Sequence, residues 1–193
     1  MKKIVFDDQE FLSCSWEEMS DFCFKLAQEI QKSNGFDQIV AISRGGLIVG
    51  RILADFLDLP ISLFTIKAYK EIGKIKKPEI TEELNAKIQG KKILLVDEII
   101  DTGKTLALAL SYLRRLKPQK IQTAVLFYKQ KAKTAPDYFL FKTTAWVVFP
   151  YEVRETINDL SQIWQKKGIS KTEIKSHLSK LGLPKKEVEH FLK

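Results

Sequence analysis

Three carboxylates and a short glycine loop lie together in residues 96–106, VDEIIDTGKTL. Asp97 and Glu98 follow an apolar run, and Asp101 precedes Thr102-Gly103-Lys104-Thr105. Backbone N–H groups and threonine hydroxyls at the start of a helix can bind a phosphate, assisted by the helix dipole. Carboxylates instead accept hydrogen bonds from sugar hydroxyls or lie beside a divalent cation. The segment therefore suits a ligand such as a phosphorylated ribose, with Mg²⁺ nearby.

The end of the same segment is similar to a nucleotide-binding P-loop, G-x-x-x-x-G-K-[ST]. Counting back five positions from Gly103 gives Glu98, so the first glycine of that motif is missing. A P-loop kinase is therefore a poor hypothesis, which a test for ATP hydrolysis would examine.

Apolar strands and helices alternate on both sides of this loop. The predicted strands are 38–42, 61–66, 92–96, 121–127, 138–141 and 146–149, and the predicted helices follow Ser15 and span 47–57 and 104–116. Near-continuous Val, Ile and Leu in strands between helices indicate a parallel sheet covered on both faces. Ligands of such sheets bind beyond the carboxyl ends of the strands. We therefore expect the loops Ser43–Gly46 and Asp97–Thr105 to form the walls of one site.

Residues 67–90, KAYKEIGKIKKPEITEELNAKIQG, contain few large apolar residues and several lysines. This composition predicts mainly a long exposed loop, with a helical turn from Thr81. Long loops inside compact domains are often lids or binding loops. We therefore predict that the segment is a lid over the site.

The last part of the chain has a different pattern, from about Glu155 onward. Apolar residues recur there at helical spacing, interrupted by Gly168 and Gly182. Ser170 and Glu173 have the spacing of a capping box, and a proline two residues after Gly182 can begin another helix. The pattern predicts three short amphipathic helices.

The overall composition is that of a globular protein, with 193 residues of which 45% are hydrophobic and 29% charged. The net charge of +8 fits a polyanionic partner, such as nucleic acid, a membrane surface or a phosphorylated small molecule, but equally a lysine-rich solvated surface. The N-terminus becomes acidic too early for a signal peptide, and no apolar run approaches the length of a membrane span.

The cysteines and histidines exclude several kinds of site. Cys14 and Cys23 do not have metal-ligand spacing, and His177 and His190 both lie near the C-terminus. A zinc site, a Cys–His nucleophile pair and a Ser-His-Asp triad are therefore poor hypotheses. We expect a protein of the reducing cytoplasm.

Three stretches together resemble a known family, the type I phosphoribosyltransferases. ILLVDEIIDTGKTL resembles the family's signature, and AISRGGLIVG resembles its pyrophosphate loop. AWVVFPYE resembles the base-binding hood of xanthine, guanine and hypoxanthine enzymes from bacteria and archaea. The resemblance covers roughly residues 1–154. It implies an α/β fold with a doubly wound, mainly parallel sheet and a small hood, followed by a C-terminal helical extension at 155–193.

This resemblance implies an activity and its partners. Family members join a nucleobase to phosphoribosyl pyrophosphate (PRPP), releasing pyrophosphate and a nucleoside monophosphate. The stretches shown above resemble the members that act on 6-oxopurines, which implies purine salvage with guanine, xanthine or hypoxanthine. The implied cofactor is Mg²⁺, and the implied assembly is a dimer or tetramer. We expect neither a membrane nor a nucleic acid as partner.

Site residues follow from the matched motifs. Asp101 is implied as the catalytic acid–base group beside the imidazole ring of the purine, and Glu98 is also implied as a neighbour of the metal. The implied PRPP-binding residues are Ser43, Arg44, Gly45, Gly46, Asp97, Glu98, Thr102, Gly103, Lys104 and Thr105. The implied base-binding residues are Lys129 at the exocyclic oxygen, Trp146 stacked on the base and the backbone of Val147. The resemblance also implies a cis peptide bond after Ser43.

One departure and one alternative accompany the resemblance. The family's mobile loop commonly carries Ser-Tyr, where this chain has Ala68-Tyr69. The alternative is a regulator that keeps the fold and binds RNA, which the basic charge and the C-terminal helices would suit. Asp101 argues against it, because a pure binding module needs no acid at the base nitrogen. The sequence leaves open which of the three 6-oxopurines is preferred.

Overall fold

The computed structural model of the chain describes residues 1–6, 8–33, 35–67, 70–71, 74–75 and 77–192, with the backbone alone at 70–71 and 74–75. Its elements, in chain order, are β1 (Lys2–Phe6), β2 (Gln9–Ser13), α1 (Trp16–Gln31), β3 (Gln38–Ser43), α2 (Gly45–Leu57), β4 (Ile61–Lys67), β5 (Lys70–Glu71), β6 (Lys74–Ile75), β7 (Glu79–Glu82), β8 (Lys92–Val96), β9 (Ile99–Ile100), α3 (Lys104–Arg115), β10 (Lys120–Lys129), β11 (Tyr138–Thr143), β12 (Trp146–Val148), α4 (Val153–Lys166), α5 (Lys171–Lys180) and α6 (Lys185–Phe191).

The chain divides into two compact units. The large unit is residues 20–143, and the small unit combines residues 1–19 with 144–193. The small unit therefore contains the predicted C-terminal extension, 155–193, together with both ends of the predicted first domain, 1–19 and 144–154. The division into domains 1–154 and 155–193 stays a prediction. Among the described residues, none of the helices has the length and hydropathy that crossing a bilayer requires.

The large unit is built on a mainly parallel sheet, as predicted. Within the described residues this sheet has seven strands, in the order β11-β10-β8-β3-β4-β7, with β9 paired to β10. All its pairings are parallel except that of β4 with β7. Residues of β3 and β8 such as Ile39 and Leu94 are completely buried, which explains their continuous apolar sequences.

The segment 67–90 differs from its prediction as a long exposed loop. β7 pairs antiparallel with β4, so the helical turn predicted from Thr81 is wrong and that residue lies in a strand. β5 and β6 pair as a short antiparallel ladder. Leu84 and Ile88 are buried in the hydrophobic core of the large unit. Ala68 and Tyr69 lie outside the described residues, so the lid stays a prediction.

The small unit has its own sheet and its own core. β2 pairs antiparallel with β1 and parallel with β12, a sheet whose first two strands were not predicted. The three predicted C-terminal helices are confirmed as α4, α5 and α6. They share one apolar cluster with the sheet, whose buried members are Phe6, Phe11, Val148, Ile157, Leu160, Trp164, Ile174, Leu178, Leu181, Leu183, Val188 and Leu192. The helices and the segments that directly follow them therefore supply most of the core of this unit.

Two helix starts confirm their sequence signals. Ser15 Oγ accepts a hydrogen bond from the N–H of Glu18 at 3.1 Å, and Glu18 Oε2 accepts one from the N–H of Ser15 at 3.0 Å. Ser170 and Glu173 form the same reciprocal arrangement at the start of α5. Each capping box satisfies backbone donors that the first turn of a helix would otherwise leave unpaired.

Candidate active site

The register of the central strands brings the two predicted loops to one edge of the sheet. β3 and β8 pair in parallel, with Ala41 opposite Val96. Both strands therefore end side by side, and the loops after them lie around a cavity of about 230 Å³. The cavity is lined by Ile42, Ser43, Arg44, Gly45, Ile66, Asp97, Glu98, Ile99, Ile100, Asp101, Thr102, Gly103, Thr105 and Leu106, all in the large unit.

The loop after β3 approaches the acidic loop so closely that it needs its two glycines. A Cβ atom on Gly45 would overlap the carboxyl group of Glu98. A Cβ atom on Gly46 would lie 2.8 Å from the carbonyl oxygen of Val96 and 2.9 Å from Cα of Asp97. The peptide bond between Ser43 and Arg44 is cis, as the resemblance implies. Gly46 is buried beneath the site and does not line the cavity, whereas Gly45 does.

The acidic pair is held by backbone hydrogen bonds to β10. The N–H of Asp97 donates to the carbonyl of Ala124 at 3.2 Å, and the carbonyl of Glu98 accepts from the N–H groups of Leu126 and Phe127 at 3.2 and 3.1 Å. Oδ1 of Asp97 also accepts a hydrogen bond from the N–H of Glu98 at 3.1 Å. Both side chains are half-buried at the cavity wall.

The chemistry of these two carboxylates fits the kind of Mg²⁺ site in which a substrate's phosphates supply further ligands. The described residues contain no group of three or more His, Cys, Asp or Glu arranged to hold a metal. Mg²⁺ usually binds through one or two carboxylates together with substrate phosphates, and it keeps several waters. Adjacent hard oxygen donors on a cavity wall match that chemistry, with Glu98 beside Gly45 and Asp97 beside Gly46.

The glycine loop ends at the start of a helix, where a phosphate can bind. Gly103 has φ of +80° and precedes α3, and its carbonyl accepts a hydrogen bond from the N–H of Ala107 at 2.9 Å. The first N–H groups of a helix have no partner within it and carry the positive end of the helix dipole. Thr102 and Thr105 line the cavity, whereas Lys104 is exposed and does not line it.

Asp101 forms ion pairs with two lysines. Its Oδ1 lies 3.4 Å from Nζ of Lys129 and 2.9 Å from Nζ of Lys131. Burial disfavours the charged carboxylate, but these two ammonium groups outweigh it and hold the pKa of Asp101 below its ordinary value. Lys129 was predicted to be near the site, although it does not itself line the cavity. Lys131 was not predicted to be near the site, because an exposed loop lysine has no distinguishing sequence pattern.

The other predicted base-binding residues belong to the small unit. Trp146 and Val147 lie in β12, where Val147 is buried and paired with Leu12 of β2, and Trp146 is half-buried. The cavity is formed by the large unit and does not include them. Their role in base binding stays a prediction.

The cysteines are unsuited to nucleophilic chemistry. Cys14 and Cys23 are both free and buried. Burial raises the pKa of each thiol to about 12, so the reactive thiolate is almost absent at neutral pH.

Comparisons with known proteins agree with the site's chemistry. A family model described as "Phosphoribosyl transferase domain" matches residues 15–156. A xanthine-guanine phosphoribosyltransferase of Gluconobacter oxydans is 28% identical over 147 residues, which cover 74% of this chain and 84% of the relative. Two solved structures are similar to this chain in fold. The purine phosphoribosyltransferase of Pyrococcus horikoshii is 32% identical to this chain and has a TM-score of 0.67. The match covers 73% of this chain and 93% of the chain in that structure. The xanthine-guanine-hypoxanthine phosphoribosyltransferase of Helicobacter pylori is 26% identical to this chain and has a TM-score of 0.64. The match covers 79% of this chain and 97% of the chain in that structure.

Proposed function

Because the chain belongs to the phosphoribosyl transferase domain family, we propose that it transfers the phosphoribosyl group of PRPP to a 6-oxopurine. The products are pyrophosphate and a purine nucleoside monophosphate. One observation carries the proposal: the acidic pair, the glycine loop and the loop after β3 line a single cavity, beside which Asp101 is paired with Lys129. The names of the relatives, which include xanthine-guanine and purine phosphoribosyltransferases, support this substrate class.

PRPP has three kinds of group, and the cavity offers a match for each. The helix start and hydroxyls at Thr102–Thr105 suit the 5′-phosphate. Asp97 and Glu98 suit the ribose hydroxyls, as acceptors at the carboxyl end of β8. The loop Ser43–Gly46 suits the pyrophosphate, because its glycines let it lie close beside the acidic pair and its arginine supplies positive charge.

We propose Glu98, with Asp97 beside it, as the protein's contribution to a Mg²⁺ site. When bound, Mg²⁺ supplies positive charge that helps neutralise the departing pyrophosphate. The residues of the chain hold the ribose and the phosphates at fixed positions, which favours reaction by restricting the motion of the reactants.

Asp101 is proposed as the general acid–base group. As a ring nitrogen of the purine bonds to the anomeric carbon, the bond from that carbon to pyrophosphate breaks. The purine must lose a ring proton, which the Asp101 carboxylate accepts. A carboxylate whose pKa lies below its ordinary value is ionised at neutral pH and is therefore ready for this role.

Lys129 is proposed to select the 6-oxo group. An ammonium group only donates hydrogen bonds, so it pairs with an exocyclic oxygen and not with the amino group of adenine. Its side chain is only 16% exposed, and a buried donor without a partner is costly. Trp146 and the backbone of Val147 are proposed to stack on the base and to bind its far edge.

The remaining proposals concern cellular context. We propose that the enzyme acts in purine salvage in the cytoplasm, as a homo-oligomer, with small-molecule substrates and without a nucleic-acid partner. Two free, buried cysteines are in keeping with a reducing compartment.

Phosphorus NMR of a mixture of the protein, PRPP, Mg²⁺ and hypoxanthine tests the proposal. We expect PRPP to disappear while pyrophosphate and nucleoside monophosphate appear in equal amounts. Omitting the purine controls for PRPP hydrolysis, and Glu98→Gln controls for a contaminating enzyme. Absence of turnover with all 6-oxopurines, together with salt-sensitive binding of RNA in a filter assay, would support the regulatory alternative instead.

A further inference from the structure

The turn after β10 is fixed on both sides of Lys131. The N–H of Ala132 donates to the carbonyl of Lys129 at 2.9 Å, which closes the turn. The side chain of Ala132 is buried in the hydrophobic core of the large unit. Lys131 therefore lies in a tight turn that is closed by a backbone hydrogen bond and anchored by a buried side chain.

This turn also lies beside the glycine loop. A Cβ atom on Gly103 would lie 3.6 Å from the backbone nitrogen of Lys133 and 3.7 Å from Cβ of Ala132, both at van der Waals distance. The turn that carries Lys131 and the loop that follows Asp101 are thus neighbours, with room for about one methyl group between them. This explains why an exposed lysine reaches Asp101 at 2.9 Å, closer than Lys129 at 3.4 Å.

The two lysines differ in burial although they contact the same carboxylate oxygen. The side chain of Lys129 is 16% exposed and that of Lys131 is 62% exposed. Both contact Oδ1 of Asp101, which leaves Oδ2 for a purine proton. Lys129, the more buried of the two, is suited to pair with a buried purine oxygen. Lys131, which is exposed, can keep its ion pair with Asp101 at the same time.

We propose that Lys131 is a positioning residue, which keeps hold of the Asp101 carboxylate while Lys129 turns to the oxygen of a bound purine. This deepens the proposed function and rests on it. Without Lys131, the departure of Lys129 would leave a partly buried carboxylate without a cation, free to rotate and easier to protonate. With Lys131, the carboxylate stays ionised and oriented throughout the exchange.

Kinetics of Lys131→Met, Lys131→Arg and the control Lys133→Met test this proposal. For Lys131→Met we expect kcat with a 6-oxopurine to fall about twofold to fivefold, which is what one exposed ion pair typically contributes. KM for PRPP should not change. Lys131→Arg should restore most of kcat, and Lys133→Met should resemble the wild type, because the Lys133 side chain is exposed and it is the backbone nitrogen of Lys133 that lies nearest to Gly103.

The pH profile distinguishes positioning from a merely structural role. The charged groups that contact Asp101 are Lys129, at the end of β10, and Lys131, in the turn beyond it. Removing a cation raises the pKa of a carboxylate, so the activity of Lys131→Met should be lost at a higher pH than that of the wild type as the pH falls. A profile and kcat identical to those of Lys133→Met would overturn the proposal.

Carbon NMR of the Asp101 carboxyl group tests the same pairing without turnover. In Lys129→Met, which imitates the departure of Lys129, the pKa of Asp101 should stay below its ordinary value, and adding Lys131→Met should abolish that effect. If Lys129→Met alone abolishes it, Lys131 does not hold the carboxylate. If the wild type does not turn over purines, the proposed function fails, and this titration still decides whether Lys131 holds Asp101.

Discussion

The Glu98 carboxyl group occupies the space that a Cβ atom on Gly45 would fill. One residue further along the same loop, a Cβ atom on Gly46 would instead meet backbone, 2.8 Å from the carbonyl oxygen of Val96. A side-chain terminus can move aside, but a backbone carbonyl in the middle of a sheet cannot. The two adjacent glycines therefore have different roles, one in the site and one in the fold.

We predict that Gly45→Ala mainly weakens ligand binding, whereas Gly46→Ala mainly lowers stability. Gly45→Ala should displace the Glu98 carboxyl group and weaken PRPP and Mg²⁺ binding, with little loss of stability. Gly46→Ala should lower the free energy of unfolding by about 1–3 kcal/mol, the usual cost of overpacking. Calorimetric titration with PRPP and Mg²⁺, and chemical denaturation, measure the two effects. Equal effects of both changes on stability would contradict the distinction.

Replacing Asp101 and Glu98 should separate chemistry from binding. Asp101→Asn keeps the shape and a hydrogen bond but removes the basicity, so we expect kcat to fall about 10²-fold, near the lower end for general acid–base catalysis. Affinity for PRPP should change little. Glu98→Gln should instead weaken PRPP and Mg²⁺ binding. Wild-type kcat in Asp101→Asn, with chemistry shown to be rate-limiting, would mean that Asp101 is not the acid–base group.

Several elements were predictable because local chemistry determines them. Buried strands such as β8 have continuous apolar sequences, and Ser170 with Glu173 satisfies the first turn of α5 whatever packs around it. The positions of Asp97 and Gly103 followed, since Asp97 comes directly after β8 and Gly103 directly before α3.

What was not predictable depends on contacts distant in sequence. β7 has an exposed, charged sequence and joins the sheet because β4 offers it an edge, so its composition predicted a loop. β1 and β2 form a sheet with β12, more than a hundred residues away along the chain. Lys131 reaches Asp101 through the packing of Ala132 on the large core, which no local pattern encodes.

Both cysteines should be inert in the folded protein. The thiolate is the reactive form, and burial raises the pKa of Cys14 and Cys23 to about 12. We expect their reaction with a thiol reagent at pH 8 to be about a hundredfold or more slower than in guanidinium. Reagent kinetics measure this, with the denatured chain as the control that both thiols are present. Fast reaction of either thiol under native conditions would show that its burial is not maintained.

Leu178→Ala should destabilise the protein without removing its chemistry. Leu178 is completely buried in the core of the small unit, and no predicted site residue lies in α5. We expect the free energy of unfolding to fall by about 2–5 kcal/mol, as for other buried leucines. The neighbouring exposed Ser179, changed to alanine, is the matched control. If Leu178→Ala lost kcat at a temperature where it is fully folded, α5 would be needed to complete the site.

The proposed selection of 6-oxopurines over adenine is tested most directly by a competition among bases. Equal concentrations of hypoxanthine, guanine, xanthine and adenine are incubated with limiting PRPP and Mg²⁺, and the nucleoside monophosphates are separated and quantified. Product ratios give the ratios of kcat/KM without separate kinetic constants. Because the proposed role of Lys129 is to pair with an exocyclic oxygen, which an ammonium group can do and an amino group does not match, nearly all product should come from the three 6-oxopurines. Adenosine monophosphate as the main product would contradict the account.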